Sequence, residues 1–211
     1  MAVMTRGVLY RRIDAMRRKY GIRGRFDPFA FAAEHEIPVQ YHAFSNPALK
    51  GILVRSGGAC GVVLDPRLSQ AEQRLTLTHE LVHLELHYGE QGTAFSHHSG
   101  MEYQADEGAA ELLMPYRDLL PRAAAFRRRY RQDPVQITGL LAAHYRVDLD
   151  TMRRRLESLD YELMCFLRGT PVSEIIPLSR QEKQHQAIPD RQFRQTPRTT
   201  RRTPDIFPDE E

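Results

Sequence analysis

The chain has 211 residues (24.4 kDa), of which 41% are hydrophobic and 27% charged, with 13 Gly, 13 Pro and 2 Cys. That composition excludes a collagen-like, wholly disordered or membrane-spanning chain, and no apolar run reaches the roughly 18 residues that a spanning helix needs. The net charge of +3 conceals opposed blocks, with residues 1–68 at +6, 69–115 at −7, 116–168 at +4 and 169–211 neutral, which is not the uniformly basic surface of a protein that coats nucleic acid.

The N-terminus (MAVMTRGVLYRRIDAMRRKY) lacks the apolar stretch of a secretory signal, so the chain is expected to stay in the cytoplasm. There Cys60 and Cys165 remain thiols and are expected to pack as small buried hydrophobes. Residues 8–19 place Val8, Ile13 and Met16 among charges, which predicts a surface helix ended by Gly21 and Gly24. Asp27-Pro28 reads as an N-cap with Pro in the first turn, opening a short helix to about His35. Three strands are expected at Pro38–Phe44, Gly51–Arg55 and Ala59–Leu64, the last two forming a hairpin across Ser56-Gly57-Gly58.

Ser69-Gln70-Ala71-Glu72 is a capping box, so a helix should run from there to about Tyr88. Leu75, Leu77, Leu81, Val82, Leu84 and Leu86 make it apolar nearly all round, which places it at the centre of the fold. A polar loop, Gly89–Gly100, leads to a helix from about Met101 to Met114, which Pro115 ends or follows with another. Residues 134–159 read as helix, short turn at Tyr145–Asp148, helix. This helix-turn-helix-like segment exposes Arg153, Arg154 and Arg155 to phosphates or to a protein partner, with packing or docking favoured over DNA binding. The organisation expected is a core over 1–115, a helical segment over 116–168 and a largely disordered Pro/Gln/Arg-rich tail over 169–211.

Chemistry concentrates in His79-Glu80-Leu81-Val82-His83, an H-E-x-x-H string inside the central helix. At this chain's His and Glu content, chance supplies about 0.03 such strings, so coincidence is a poor account of it. Four residues make one helical turn, so both imidazoles leave the same face and can share a metal ion. Zinc lowers the pKa of a bound water towards about 7, and Glu80 stands where a carboxylate can take the proton as hydroxide attacks a carbonyl. Two bare imidazoles in so apolar a helix would otherwise need partners of their own.

A third ligand is required. His87 continues the series but lies about 12 Å along the axis from His79, which favours a helix-surface role. His97 and His98 sit in the polar loop. Glu102 is the better candidate: it opens the next helix, and Asp106, four residues on, can accept the free N–H of a ligand histidine. Leu86 and Gly89 stand where a metzincin needs Gly and its third ligand. The sequence singles out no transition-state stabiliser: Tyr103, His97 and His98 could serve, but a structural role is favoured for each.

Four stretches resemble the ImmA/IrrE-type metallopeptidases: Gly51–Val54 with Gly61–Asp65, Gln73–His83, Glu102–Asp106 and Ala109–Pro115. The resemblance implies an α+β, zincin-like metallopeptidase with a small sheet, an active-site HExxH helix and a C-terminal helical segment. It further implies a gluzincin-like site with His79, His83 and Glu102 as ligands, Glu80 as base and Asp106 behind them, holding zinc, with manganese as the alternative. The implied substrate is a helix-turn-helix repressor, cut to derepress mobile-element or stress-response genes. Asp106 stands where the family often has Asn, which preserves the acceptor. Gly108 stands where it often has Phe, which should leave a side-chain-sized gap behind Glu102. The competing reading is a non-proteolytic regulator with a structural metal site that binds DNA or a repressor.

Overall fold

The computed structural model describes residues 4–56, 59–87, 99–130 and 133–184. Helix α1 (Arg6–Lys19) and α2 (Pro28–Glu34) precede strands β1 (Val39–Tyr41), β2 (Gly51–Ser56) and β3 (Ala59–Leu64). Asp27 caps α2 through the amides of Phe29 and Ala30, as its Asp-Pro sequence predicts. The first strand is shorter than expected. The sheet runs β1-β3-β2, with β1 parallel and β2 antiparallel to β3, and Leu53 registers with Val62 and Gly51 with Leu64. Asp65 at the end of β3 accepts the amides of Phe44 and Arg67 and pairs with the Arg67 guanidinium, which ties the β1–β2 connection to the strand end.

Helix α3 (Gln70–Leu86) starts on a complete capping box, Ser69 accepting from the Glu72 amide while Glu72 reaches back. It packs against α2, β2, β3 and α4 (Ser99–Leu113), so its nearly continuous apolar surface is covered on several sides. The central position expected of it is the one it holds. Gly51 lets β2 approach this closely: a Cβ there would stand 2.6 Å from Thr76 Cγ2 and 3.1 Å from Leu64 Cδ2.

Gly108 serves the same purpose on α4, and the gap expected beside it does not exist. A Cβ would meet Val82 Cγ1 at 2.9 Å and Ile13 Cδ1 at 3.2 Å, because α3 and α1 have moved in on the missing side chain. Gly108→Ala should therefore destabilise the protein by about 1–2 kcal/mol despite the roughly 1 kcal/mol gained in helix propensity. Chemical denaturation tests this, and a stabilised variant would mean that the contact yields freely.

Pro115 begins rather than ends a helix, standing as N-cap of α5 (Tyr116–Arg129). Helices α6 (Pro134–Tyr145) and α7 (Leu149–Ser158) follow, with Arg146 in the left-handed region at their turn, then α8 (Asp160–Leu167). Leu119, Leu141, Met152, Leu159 and Leu163 join Leu9, Ile13, Leu77 and Leu81 in one continuous hydrophobic cluster. The helical segment is thus part of the same core.

Four expectations change here, in whole or in part. Arg155 does not face solvent: its side chain is 1% exposed and bonds Glu107, Glu111, Tyr10 and the Met114 carbonyl. Arg153 and Arg154 are exposed, yet both pair with Asp150, and Arg153 also with Glu157, so their charge is largely matched on their own helix. Cys165 is buried as expected, whereas Cys60 is only half-buried. The first part of the tail also packs on the core: Ile175 is buried, Glu162 accepts the Leu178 amide, and Lys183 on the short helix α9 (Arg180–Lys183) pairs with Glu162 and Asp160. The hairpin turn at 57–58, the loop with His97 and His98, and residues 185–211 lie outside the described residues.

Candidate metal centre

The α-helical repeat places His79 and His83 one turn apart on α3, their rings 4.6 Å between centroids. Their Nε2 atoms lie 3.0 Å apart and both face Glu102 at the start of α4, His79 Nε2 at 3.3 Å from Oε2 and His83 Nε2 at 3.4 Å from Oε1. Among the described residues these three form the one group of metal-ligating side chains whose donor atoms converge. Zinc bonds of roughly 2.0–2.1 Å in tetrahedral geometry put neighbouring ligand atoms about 3.3 Å apart. The observed 3.0–3.4 Å spacings fit a zinc ion without rearrangement.

Asp106 Oδ1 lies 2.9 Å from His79 Nδ1. The carboxylate accepts, so the ring carries its proton on Nδ1 and turns the Nε2 lone pair into the site. This is the role the Glu102/Asp106 spacing suggested. The helix that brings Glu102 to the two histidines also brings the carboxylate that orients His79.

The electrostatics follow from crowding. Burial disfavours the His79 cation, but the Asp106 hydrogen bond and the charges of Glu80, Asp106 and Glu102 outweigh it and raise its pKa. For His83, burial and the neighbouring His79 charge prevail over Glu102, and its pKa falls to about 4. A neutral imidazole is the form that binds metal. Glu80 is buried beside the ligands, and its pKa rises chiefly through burial, with Glu102 adding to the rise and His79 and the Leu53 N–H opposing it. A carboxylate whose pKa is raised is a stronger proton acceptor than an exposed one.

The Leu53 N–H that bonds Glu80 belongs to β2, the outer strand of the sheet. The outward polar groups of this strand therefore face the site. Glu102 is 59% exposed, so the metal position opens to solvent on the α4 side. Burial raises the Tyr103 pKa, with the charges of Glu107 and Glu182 adding to the rise and Arg6 and Arg155 opposing it.

His87 departs most from the sequence reading, since it is buried and not on the helix surface. Its Nδ1 lies 3.0 Å from His83 Nδ1 and its Nε2 3.3 Å from Gln104 Oε1. Gln104 and the Leu53 amide were not legible in advance. The only sequence signal for His87 was its i+4 spacing from His83.

Comparison with known proteins places this geometry in context. The model of a peptidase family, described as the IrrE N-terminal-like domain, matches residues 32–157, more than half of the chain. That stretch includes the sheet, α3, α4 and both helices of the 134–159 segment. No curated protein matches the chain.

Proposed function

Because the chain belongs to the IrrE N-terminal-like family of peptidases, we propose that it is a zinc-dependent endopeptidase of the cytoplasm that cuts a helix-turn-helix repressor and so releases the genes that repressor silences. The observation that carries the reading is the convergence of His79, His83 and Glu102 at tetrahedral spacings, with the Glu80 carboxyl buried beside them. Zinc held there would polarise the scissile carbonyl and lower the pKa of a water molecule. Glu80 takes the proton of the attacking water and delivers it to the leaving amide nitrogen. The outer edge of β2 holds an extended substrate segment by strand addition, which sets the scissile carbonyl against the site. The acidic block over residues 69–115 favours a basic substrate, with Glu102 and Asp106 among the charges taken up by the metal and its ligand histidine.

The alternative, a regulator with a structural metal site, is weaker on two counts. Structural zinc sites are usually closed by four protein ligands, whereas the described residues bring three together here, one of them the exposed Glu102. A phosphate-binding arginine row on α7 loses Arg155 to the core. No helix among the described residues is long and apolar enough to cross a membrane.

The test is the intact mass of a helix-turn-helix repressor encoded beside this gene, after incubation with zinc-loaded protein. Two fragments support the reading, and an uncut repressor in a stable complex with stoichiometric zinc sinks it. Glu102→Ala should weaken zinc binding by more than the roughly 10–100-fold that follows loss of a group behind a ligand. Chelator competition reads this, and unchanged affinity would move the third ligand elsewhere.

A further inference from the structure

We infer that His87 is a positioning residue of the metal centre: its Nδ1 accepts the Nδ1 proton of His83, which aims the His83 Nε2 lone pair at the metal, and Gln104 holds His87 in the tautomer this requires. The inference rests on the reading of His79, His83 and Glu102 as a metal site and assigns that site a part it otherwise lacks. Of the two ligand histidines, His79 has Asp106 behind it. Among the described residues, His87 is the group that stands in that place for His83.

The protons can be placed link by link. His83 Nε2 faces His79 Nε2 and Glu102, so to bind a cation it must be bare, and a neutral imidazole then carries its proton on Nδ1. That proton points along the 3.0 Å line to His87 Nδ1, which must therefore present a lone pair. The His87 proton is left on Nε2, 3.3 Å from Gln104 Oε1, an acceptor. Each link has one donor and one acceptor. Reversing the chain would put a proton of His83 into the metal position.

Backbone geometry makes the arrangement possible. Helix α3 ends at Leu86, and His87 leaves the helical region (φ −117°, ψ 21°) while its amide still bonds the His83 carbonyl at 3.0 Å. The third ring of the series thus does not reach for the ion, which is too far along the axis. It folds against the far side of the second ring, with centroids 5.0 Å apart, and closes the site from behind.

Three substitutions in the full chain separate this role from simple packing. His87→Asn puts an amide oxygen at the same bond distance from Cα as Nδ1 and keeps the acceptor for His83. His87→Gln moves its amide oxygen and nitrogen out to the Nε2 distance and leaves the amide carbon, which cannot accept a hydrogen bond, at the Nδ1 distance, and His87→Leu removes both polar atoms. Zinc affinity by competition with a chromophoric chelator should fall about 10–100-fold in the Leu and Gln variants and stay within about threefold of wild type in Asn. Leu binding as tightly as wild type, or Asn binding as weakly as Leu, overturns the inference. Nitrogen-15 NMR of the zinc-loaded wild-type protein tests it without any variant: His87 should show a protonated Nε2 and a bare Nδ1, and the opposite tautomer overturns it. Wild-type protein that binds no zinc would instead sink the metal-site reading, and this inference with it.

Discussion

Glu80→Gln is expected to slow repressor cleavage by at least 10²–10⁴-fold, the usual contribution of a general base, while zinc affinity stays close to wild type. The separation is possible because Glu80 lies next to His79 on α3 but outside the converging group of His79, His83 and Glu102. Glutamine is nearly isosteric, and its amide oxygen can still accept the Leu53 N–H, so the packing around this buried side chain is preserved. It cannot take up a proton at neutral pH. The rate is read from the fragment masses over time and zinc occupancy from chelator competition on the same sample. Retained cleavage at full occupancy would remove Glu80 from the reaction, whereas lost cleavage with lost zinc would make its role structural.

Arg155→Met is expected to destabilise the fold by about 3–5 kcal/mol, a drop in melting temperature on the order of 10 °C for a chain of this size. Arg155 lies at the centre of a buried polar cluster joining α1, α4 and α7. It donates to Tyr10, to Glu107 at 3.0 Å, to the Met114 carbonyl at 3.0 Å, and to Glu111, whose side chain is as buried as its own. Burial disfavours its charge, but Tyr10, Glu111 and Glu107 outweigh that and hold it protonated. Arg6 reinforces the cluster by bonding Glu107, the Ser158 carbonyl at 2.7 Å and the Leu178 carbonyl at 2.9 Å, which fastens the end of α7 and the start of the tail to α1. Methionine fills much of the volume but leaves Glu111 without its cation and Glu107 with Arg6 alone, and that loss of buried pairing carries the cost. Arg154→Met, on the exposed face of the same helix, should change stability by less than about 0.5 kcal/mol. Thermal melts of the two variants side by side make the comparison, and equal melting temperatures would mean that the cluster contributes nothing net.

Much of this was legible because it is local. The capping box at Ser69 and the Asp27-Pro28 cap act within one turn, so sequence alone dictates where α3 and α2 begin. The four-residue spacings of His79 with His83, and of Glu102 with Asp106, fix which side chains share a face of a helix whatever surrounds them. Once α4 packs on α3, those two faces make the candidate site.

The residues misread all depend on contacts between distant segments. His87 looked like a surface residue because eight positions along a continuous helix carry its ring away from the ion, but α3 stops at Leu86 and Gln104 comes from another helix. Arg155 resembled its neighbours Arg153 and Arg154. Only the direction in which α7 packs, towards Glu107, Glu111 and Tyr10, distinguishes it. Gly108 suggested a void, which Val82 and Ile13 close from two other helices. Helical periodicity determines relative direction within an element, while burial is a property of the packed assembly. The spacing of the candidate metal ligands was therefore written in the sequence, and the contact of His87 with His83 was decided by the fold.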